Sequence, residues 1–172
     1  MRKDGVKMRM HKNHILKIIK LIVYDFDGVF TDNKVILMED GKEGVVVNRL
    51  DGFAISIFKK MGIPQMILST EENPVVKARS RKLGIPALTC VDDKKKELSS
   101  YCRKLKIPLN SVAYIGNDIN DYEAMLCVGF PIAPADANNR IKGIAKIVTK
   151  TRGGEGVARE LLDILTRGTE VC

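Results

Sequence analysis

Residues 21–32 read LIVYDFDGVFTD: four apolar, β-prone residues run straight into two aspartates two positions apart, followed by a glycine. Along an extended segment alternate side chains point the same way, so Asp25 and Asp27 both project past the strand end, and Gly28 permits a sharp turn there. Two carboxylates this close repel unless a cation lies between them or one keeps its proton, and either state is useful for catalysis. An isolated DxDG serves equally as a solvated acidic turn, so its surroundings decide.

Outward from this stretch, short β-rich runs alternate with amphipathic segments, which predicts an α/β fold with a parallel sheet covered by helices. Expected strands are 21–24, 65–69, 87–91, 112–115, 129–132 and 147–149. Helices are expected to start near Gly52, Pro74, Lys94, Asn120 and Asn138, with a last one over 156–165. Residues 34–48, KVILMEDGKEGVVVN, break the alternation with two β-prone runs around Asp40-Gly41, the signature of a hairpin. In open α/β sheets ligands bind at the carboxyl ends of the strands, so the residues just past each strand are the candidates.

Three further strand ends carry chemistry. Ser69-Thr70-Glu71 follows the second strand, and a hydroxyl beside free backbone N–H groups suits a phosphate-sized anion, although Ser and Thr are also ordinary helix caps. In VDDKKKELSSYCRKL, spacing by four from Leu98 and Cys102 places Lys94 on the core-facing stripe and Lys95 and Lys96 off it. A lysine run is otherwise a wet helix face. Last, VAYIGNDIND at 112–121 ends an apolar strand in Asn117, Asp118 and Asp121, oxygen donors that suit a hard cation such as Mg2+, or an acidic helix start favoured by the macrodipole.

Composition narrows the alternatives. A chain of 172 residues makes one domain with a well-buried core. With 45% hydrophobic and 29% charged residues it fits neither a disordered tail nor a membrane protein. The formal charge of +8 raises the question of nucleic acid. Of 29 basic and 21 acidic residues, seven and one lie in residues 1–20, which leaves 22 against 20 in the rest. Most of the excess thus lies in these first twenty residues, chiefly in a basic arm over residues 1–17 that precedes a domain spanning 18–168, and no nucleic-acid or membrane partner is expected. Cys90, Cys102, Cys127 and Cys172 lack CxxC spacing, which argues against a zinc site or disulfide framework and for a reducing cytosol.

In order, DFDGVFTD, the hydroxyl in ILST, Lys94 and YIGNDIND resemble the four motifs of the haloacid dehalogenase superfamily. The hairpin in place of a large cap, RLDGFAI at 49–55 and the ending TRGGEGVARE are similar to the 3-deoxy-D-manno-octulosonate 8-phosphate phosphatase family. That family also holds phosphatases of nine-carbon sialic-type acids and a domain attached to some CMP-sialate synthetases. The resemblance covers about residues 18–165. It implies a Rossmann-like fold and a Mg2+-dependent phosphatase of a 3-deoxy-2-ulosonic acid phosphate, working through an aspartyl phosphate. Asp25 is the implied nucleophile, Asp27 the acid and base, Ser69 a phosphoryl hydrogen-bond donor and Lys94 the neutralising cation.

The same resemblance implies that Mg2+ is held by Asp25, the backbone carbonyl of Asp27 and Asn117. The commoner pattern has Asp at 117, and with one negative charge fewer the site leans on Asp118 and Asp121. Implied substrate contacts are Thr70, Glu71, Asn48, Asp51, Lys82, Arg152, Gly153 and Gly154. Lys82, eleven residues after Glu71 and so three helical turns on, stands either on the same face to meet a sugar carboxylate or as a surface lysine. Thr70-Glu71 in place of Gly-Arg, and GGEG at 153–156, favour the nine-carbon substrate over the eight-carbon one. The family's homotetramer implies that the hairpins pack together and that the glycine-rich tail reaches a neighbour's site. Two rivals remain: a non-catalytic oligomerisation module serving a CMP-sialate synthetase, and a receiver-like phosphoacceptor, against which the DxD spacing and the hairpin both speak.

Overall fold

The structure is a computed structural model that describes residues 15–166. The basic arm, apart from residues 15–17, and the last residues of the expected domain lie outside the described residues, as does Cys172. Six strands form one parallel sheet in the order β5-β4-β1-β6-β7-β8. They are β1 (Leu21–Tyr24), β4 (Gln65–Leu68), β5 (Ala87–Leu88), β6 (Val112–Ile115), β7 (Phe130–Ala133) and β8 (Ile147–Val148). The helices are α1 (Arg49–Lys60), α2 (Pro74–Leu83), α3 (Lys94–Leu105), α4 (Tyr122–Cys127), α5 (Asn139–Ile144) and α6 (Val157–Thr166).

Both faces of the sheet are covered, which is why its central strands are continuous apolar runs. Alternation splits β1 between two cores. Ile22 and Tyr24 pack with Ile55 and Phe58 of α1, Val76 of α2 and Leu161 of α6. Leu21 and Val23 face the other way, onto Leu98 and Cys102 of α3, Met125 of α4 and Ile141 of α5. β4 pairs with one edge of β1 and β6 with the other, so Tyr24 faces Ile67 on one side and Ile115 on the other. The strand order reverses at β1, which opens a crevice past its carboxyl end.

The edge strands are shorter than their sequence suggests. After β5 the chain leaves the ladder: Val91 N–H bonds to Ser69 O and Cys90 N–H to Glu71 O, and Cys90 takes a left-handed φ of 58°. The helix expected near Asn120 begins as one tight turn, Ile119–Asp121, before α4. The hairpin is present, with β2 (Ile36–Leu37) antiparallel to β3 (Glu43–Gly44) around Asp40-Gly41. Among the described residues no helix is long and apolar enough to cross a membrane.

Candidate active site

A cavity of about 360 Å3 lies past the carboxyl ends of β1, β4 and β6. Asp25, Asp27, Ser69, Thr70, Glu71, Asn117 and Asp118 all line it. Three loops, whose residues lie up to 93 positions apart in the chain, thus converge because each follows a parallel strand. Asp25 N–H bonds to Ile115 O at 2.9 Å, which continues the ladder one residue and holds the Asp25 carboxylate at the β1–β6 seam.

Lys94 lies beneath the cavity floor, 2% exposed, in the first turn of α3. Its ammonium is 2.8 Å from Asp25 Oδ1 and 2.7 Å from Asp121 Oδ1. Tyr114 donates its hydroxyl to the same Asp121 oxygen at 2.8 Å, and Asp121 Oδ2 accepts the N–H groups of Asn117 (2.9 Å) and Asp118 (3.3 Å). Burial, then the charge of Asp121, push the Asp25 carboxyl well above the usual carboxylate range, with Lys94 opposing both. Burial works against the Lys94 charge, but the two carboxylates outweigh it and raise its pKa. Asp27 is also raised, by burial, while the Thr31 hydroxyl, donating at 3.0 Å, pulls it down and Glu71 pushes it up.

Gly28 has a φ of 76°, and a Cβ there would come within 1.8 Å of Asn117 Nδ2. Only glycine lets the turn after Asp27 close against the Asn117 amide. Among the described residues no group of three His, Cys, Asp or Glu could hold a metal ion. Asp121 is spent on Lys94, Tyr114 and two backbone amides, so its expected role as a direct metal ligand is corrected to that of a support. Of the expected ligands, Asp25, Asp27, Asn117 and Asp118 do line the cavity, and a pair of carboxylates with the Asn117 amide offers the oxygen donors that a hard divalent cation takes while completing its shell with water and phosphate.

Several expected substrate contacts stand elsewhere. Asn48 caps α1, its side chain accepting from Leu50 N–H at 2.9 Å. Asp51 is fully buried and accepts Ala158 N–H at 2.9 Å, tying α1 to the start of α6. Lys82 is exposed in the last turn of α2. That helix begins at Pro74, after Glu71, so the count of helical turns between Glu71 and Lys82 fails, and because the helix returns the chain from the end of β4 to the start of β5, Lys82 is carried toward the amino ends of the strands, away from the cavity. Arg152 pairs with Asp136 at 3.5 Å outside the cavity, and Gly153 and Gly154 pack on the chain's own turn after β1. In exchange the hairpin brings Glu43 to the cavity, where its Oε2 accepts from Asn73 Nδ2 at 3.2 Å. Sequence reasoning missed both, although Asn73 just before Pro74 is a recognisable helix start.

Residues 90–161 match the haloacid dehalogenase-like hydrolase family. The chain is 33% identical over 148 residues to the 3-deoxy-D-manno-octulosonate 8-phosphate phosphatase of Escherichia coli K12, covering 86% of this chain and 79% of that one. A solved haloacid dehalogenase family hydrolase from Streptomyces avermitilis is 42% identical, with a TM-score of 0.87 over 90% of this chain and 88% of its own. The octulosonate phosphatase of Moraxella catarrhalis, solved with magnesium, phosphate and 3-deoxy-D-manno-octulosonate, is 29% identical with a TM-score of 0.87, covering 91% of each chain. The chain belongs to the haloacid dehalogenase-like hydrolases, and within them to the 3-deoxy-D-manno-octulosonate 8-phosphate phosphatase family. It is a phosphoric monoester hydrolase of that family.

Proposed function

We propose that this chain hydrolyses the phosphomonoester of a 3-deoxy-2-ulosonic acid, with Mg2+ as its cation and an aspartyl phosphate as intermediate. The observation that carries this reading is the buried Lys94 bridging Asp25 and Asp121 directly below a cavity that also presents Asp27 and Ser69. Asp25 attacks phosphorus, forming an Oδ–P bond as the ester P–O bond breaks, and Asp27 gives its proton to the departing sugar oxygen. In the second step Asp27 takes a proton from water, which displaces Asp25 and releases inorganic phosphate. The raised pKa of Asp27 supports its role as acid. Lys94 keeps Asp25 aligned and offsets charge on the transferring group, the contribution that dominates phosphoryl transfer. A divalent cation held by Asp25, the Asp27 carbonyl and Asn117 would supply further charge neutralisation there.

The octulosonate phosphatases among the relatives support an eight-carbon substrate, and Glu71 on the cavity wall supports a nine-carbon one. Among the described residues no Lys or Arg lines the cavity. Glu43 and Glu71 are suited to accept from sugar hydroxyls, and the sugar carboxylate is left to face outward. Exposed apolar side chains on the hairpin, Val35, Ile36, Leu37 and Val46, support assembly into a homotetramer.

The test is phosphate release from octulosonate 8-phosphate and nonulosonate 9-phosphates, with and without Mg2+, in wild type and Asp25→Asn. Turnover that needs Mg2+ and Asp25 is expected. A folded oligomer that releases no phosphate from any of them would sink the reading in favour of a non-catalytic module.

A further inference from the structure

The glycine-rich segment before α6 is expected to reach a neighbouring copy, but here it is committed within its own chain. Gly153 lies flat against the turn that follows β1: a Cβ on it would fall 2.3 Å from Gly28 O and 2.9 Å from Thr31 O. Gly154, with φ 76°, donates its N–H to Val29 O at 3.1 Å, and a Cβ there would come within 2.7 Å of Asp32 N. No residue but glycine fits at either position without moving the turn beneath.

Carboxylates outside the cavity hold this strap in place. Asp136, in the loop after β7, accepts Gly153 N–H at 2.9 Å and pairs with Arg152. Glu160 accepts the N–H groups of Lys150 and Thr151 at 3.0 and 2.7 Å, and Asp51 accepts that of Ala158. Under the strap, the fully buried Thr31 hydroxyl donates to Asp27 Oδ1 at 3.0 Å and accepts Gly28 N–H at 3.3 Å. A continuous set of contacts therefore runs from Asp136 through Gly153 and the Gly28–Asp32 backbone to the Asp27 carboxyl.

We propose that the Gly153–Gly154 strap, anchored by Asp136, presses the turn after β1 into the shape in which Thr31 orients Asp27. Thr31, Asp136 and the two glycines are positioning residues for the proton transfers at Asp27. This rests on the reading of Asp27 as acid and base.

The experiment uses the full chain with Mg2+ and two substrates: 3-deoxy-D-manno-octulosonate 8-phosphate, whose alkoxide leaving group needs a proton, and p-nitrophenyl phosphate, whose leaving group does not. In Asp136→Ala and Gly153→Ala, kcat/KM for the sugar phosphate should fall at least about tenfold, within the range general acid catalysis supplies. For the nitrophenyl ester it should stay within about threefold, while slow turnover of the phosphoenzyme produces a burst of nitrophenolate. Thr31→Val should reproduce this pattern and Thr31→Ser should restore the sugar phosphate rate. Gly153→Ala should add little in a Thr31→Val background, because coupled residues are not additive.

Equal losses on both esters, or full additivity in the double variant, would overturn the inference while leaving the phosphatase reading intact. A wild type that hydrolyses neither ester, nor a nonulosonate 9-phosphate put in place of the octulosonate, takes down the phosphatase reading and the inference with it. If Gly153→Ala does not fold, Asp136→Ala in a Thr31→Val background, which adds no bulk, decides by the same criteria.

Discussion

Two buried acidic sites, one a pair and one a lone carboxylate, lie on opposite faces of the sheet, and they are satisfied very differently. On the α3 and α4 face, Asp25 and Asp121 share the Lys94 ammonium at 2.8 and 2.7 Å, and the Tyr114 hydroxyl supplements it. On the α1 and α6 face, Asp51 has the Ala158 amide on one oxygen, while its Oδ2 finds no hydrogen-bond partner among the described residues. Arg79 is near enough to lower the Asp51 pKa, yet it spends a guanidinium N–H on Asn48 O at 2.7 Å and leaves its buried Nε unpaired. Burial accordingly pushes the Asp51 carboxyl up to about 6, against the pull of the α6 amides. A buried charge that meets its counterion directly can be kept for chemistry; one that meets only a helix end is a standing cost.

The largest effect should come from breaking the satisfied cluster. Lys94→Met leaves Asp25 and Asp121 buried without a cation, and removing one partner of a buried pair costs about 3–5 kcal/mol. Urea unfolding should show that loss, and phosphate release should drop by a factor on the order of 10³. Retained stability would mean that the two carboxylates had found other partners.

Asp51 should behave in the opposite sense. The folded state keeps its proton up to about 6, whereas an unfolded Asp releases it near about 3.9. Between those values the folded state binds more protons, so stability falls as pH rises through the window, by up to about 3 kcal/mol, and the cost persists above it. Asp51→Asn keeps an acceptor for Ala158 N–H and removes the charge. Its unfolding midpoint should exceed that of wild type at pH 8 and match it at pH 4. Equal pH slopes in the two proteins would contradict the raised pKa. The smallest effect belongs to Lys82→Ala, far from both sites, with a stability change within about 0.5 kcal/mol and unchanged kcat/KM for the sugar phosphate. A clear rise in KM there would place Lys82 in a site assembled from more than one copy.

What the sequence makes legible follows its local periods. The two-residue period of a strand aims Asp25 and Asp27 together, and the spacing of Lys94, Leu98 and Cys102 picks one lysine out of three because a helix face repeats every three to four residues. Ser69 and Asn117 follow from standing at strand ends. Asp121 looked like another donor in an acidic run, and its true neighbours, Lys94 and Tyr114, belong to other elements. Asp51 is out of reach of any local rule, since the amide it caps is 107 positions away. Lys82 failed for a different reason: the helix starts at Pro74, and the periodic count was begun three residues too early.

By itself, the sequence determined the α/β alternation, the hairpin after the first strand, the four strand-end motifs and thereby the hydrolase family, because each is written in neighbouring residues. Only the tertiary structure decided which acids face the cavity and which support it. It also brought the glycine pair onto the chain's own turn after β1 and Glu43 of the hairpin onto the cavity wall. Those outcomes depend on backbone approaches between segments distant in the chain, where a close contact or a shared amide sets a side chain's role and no local pattern records it.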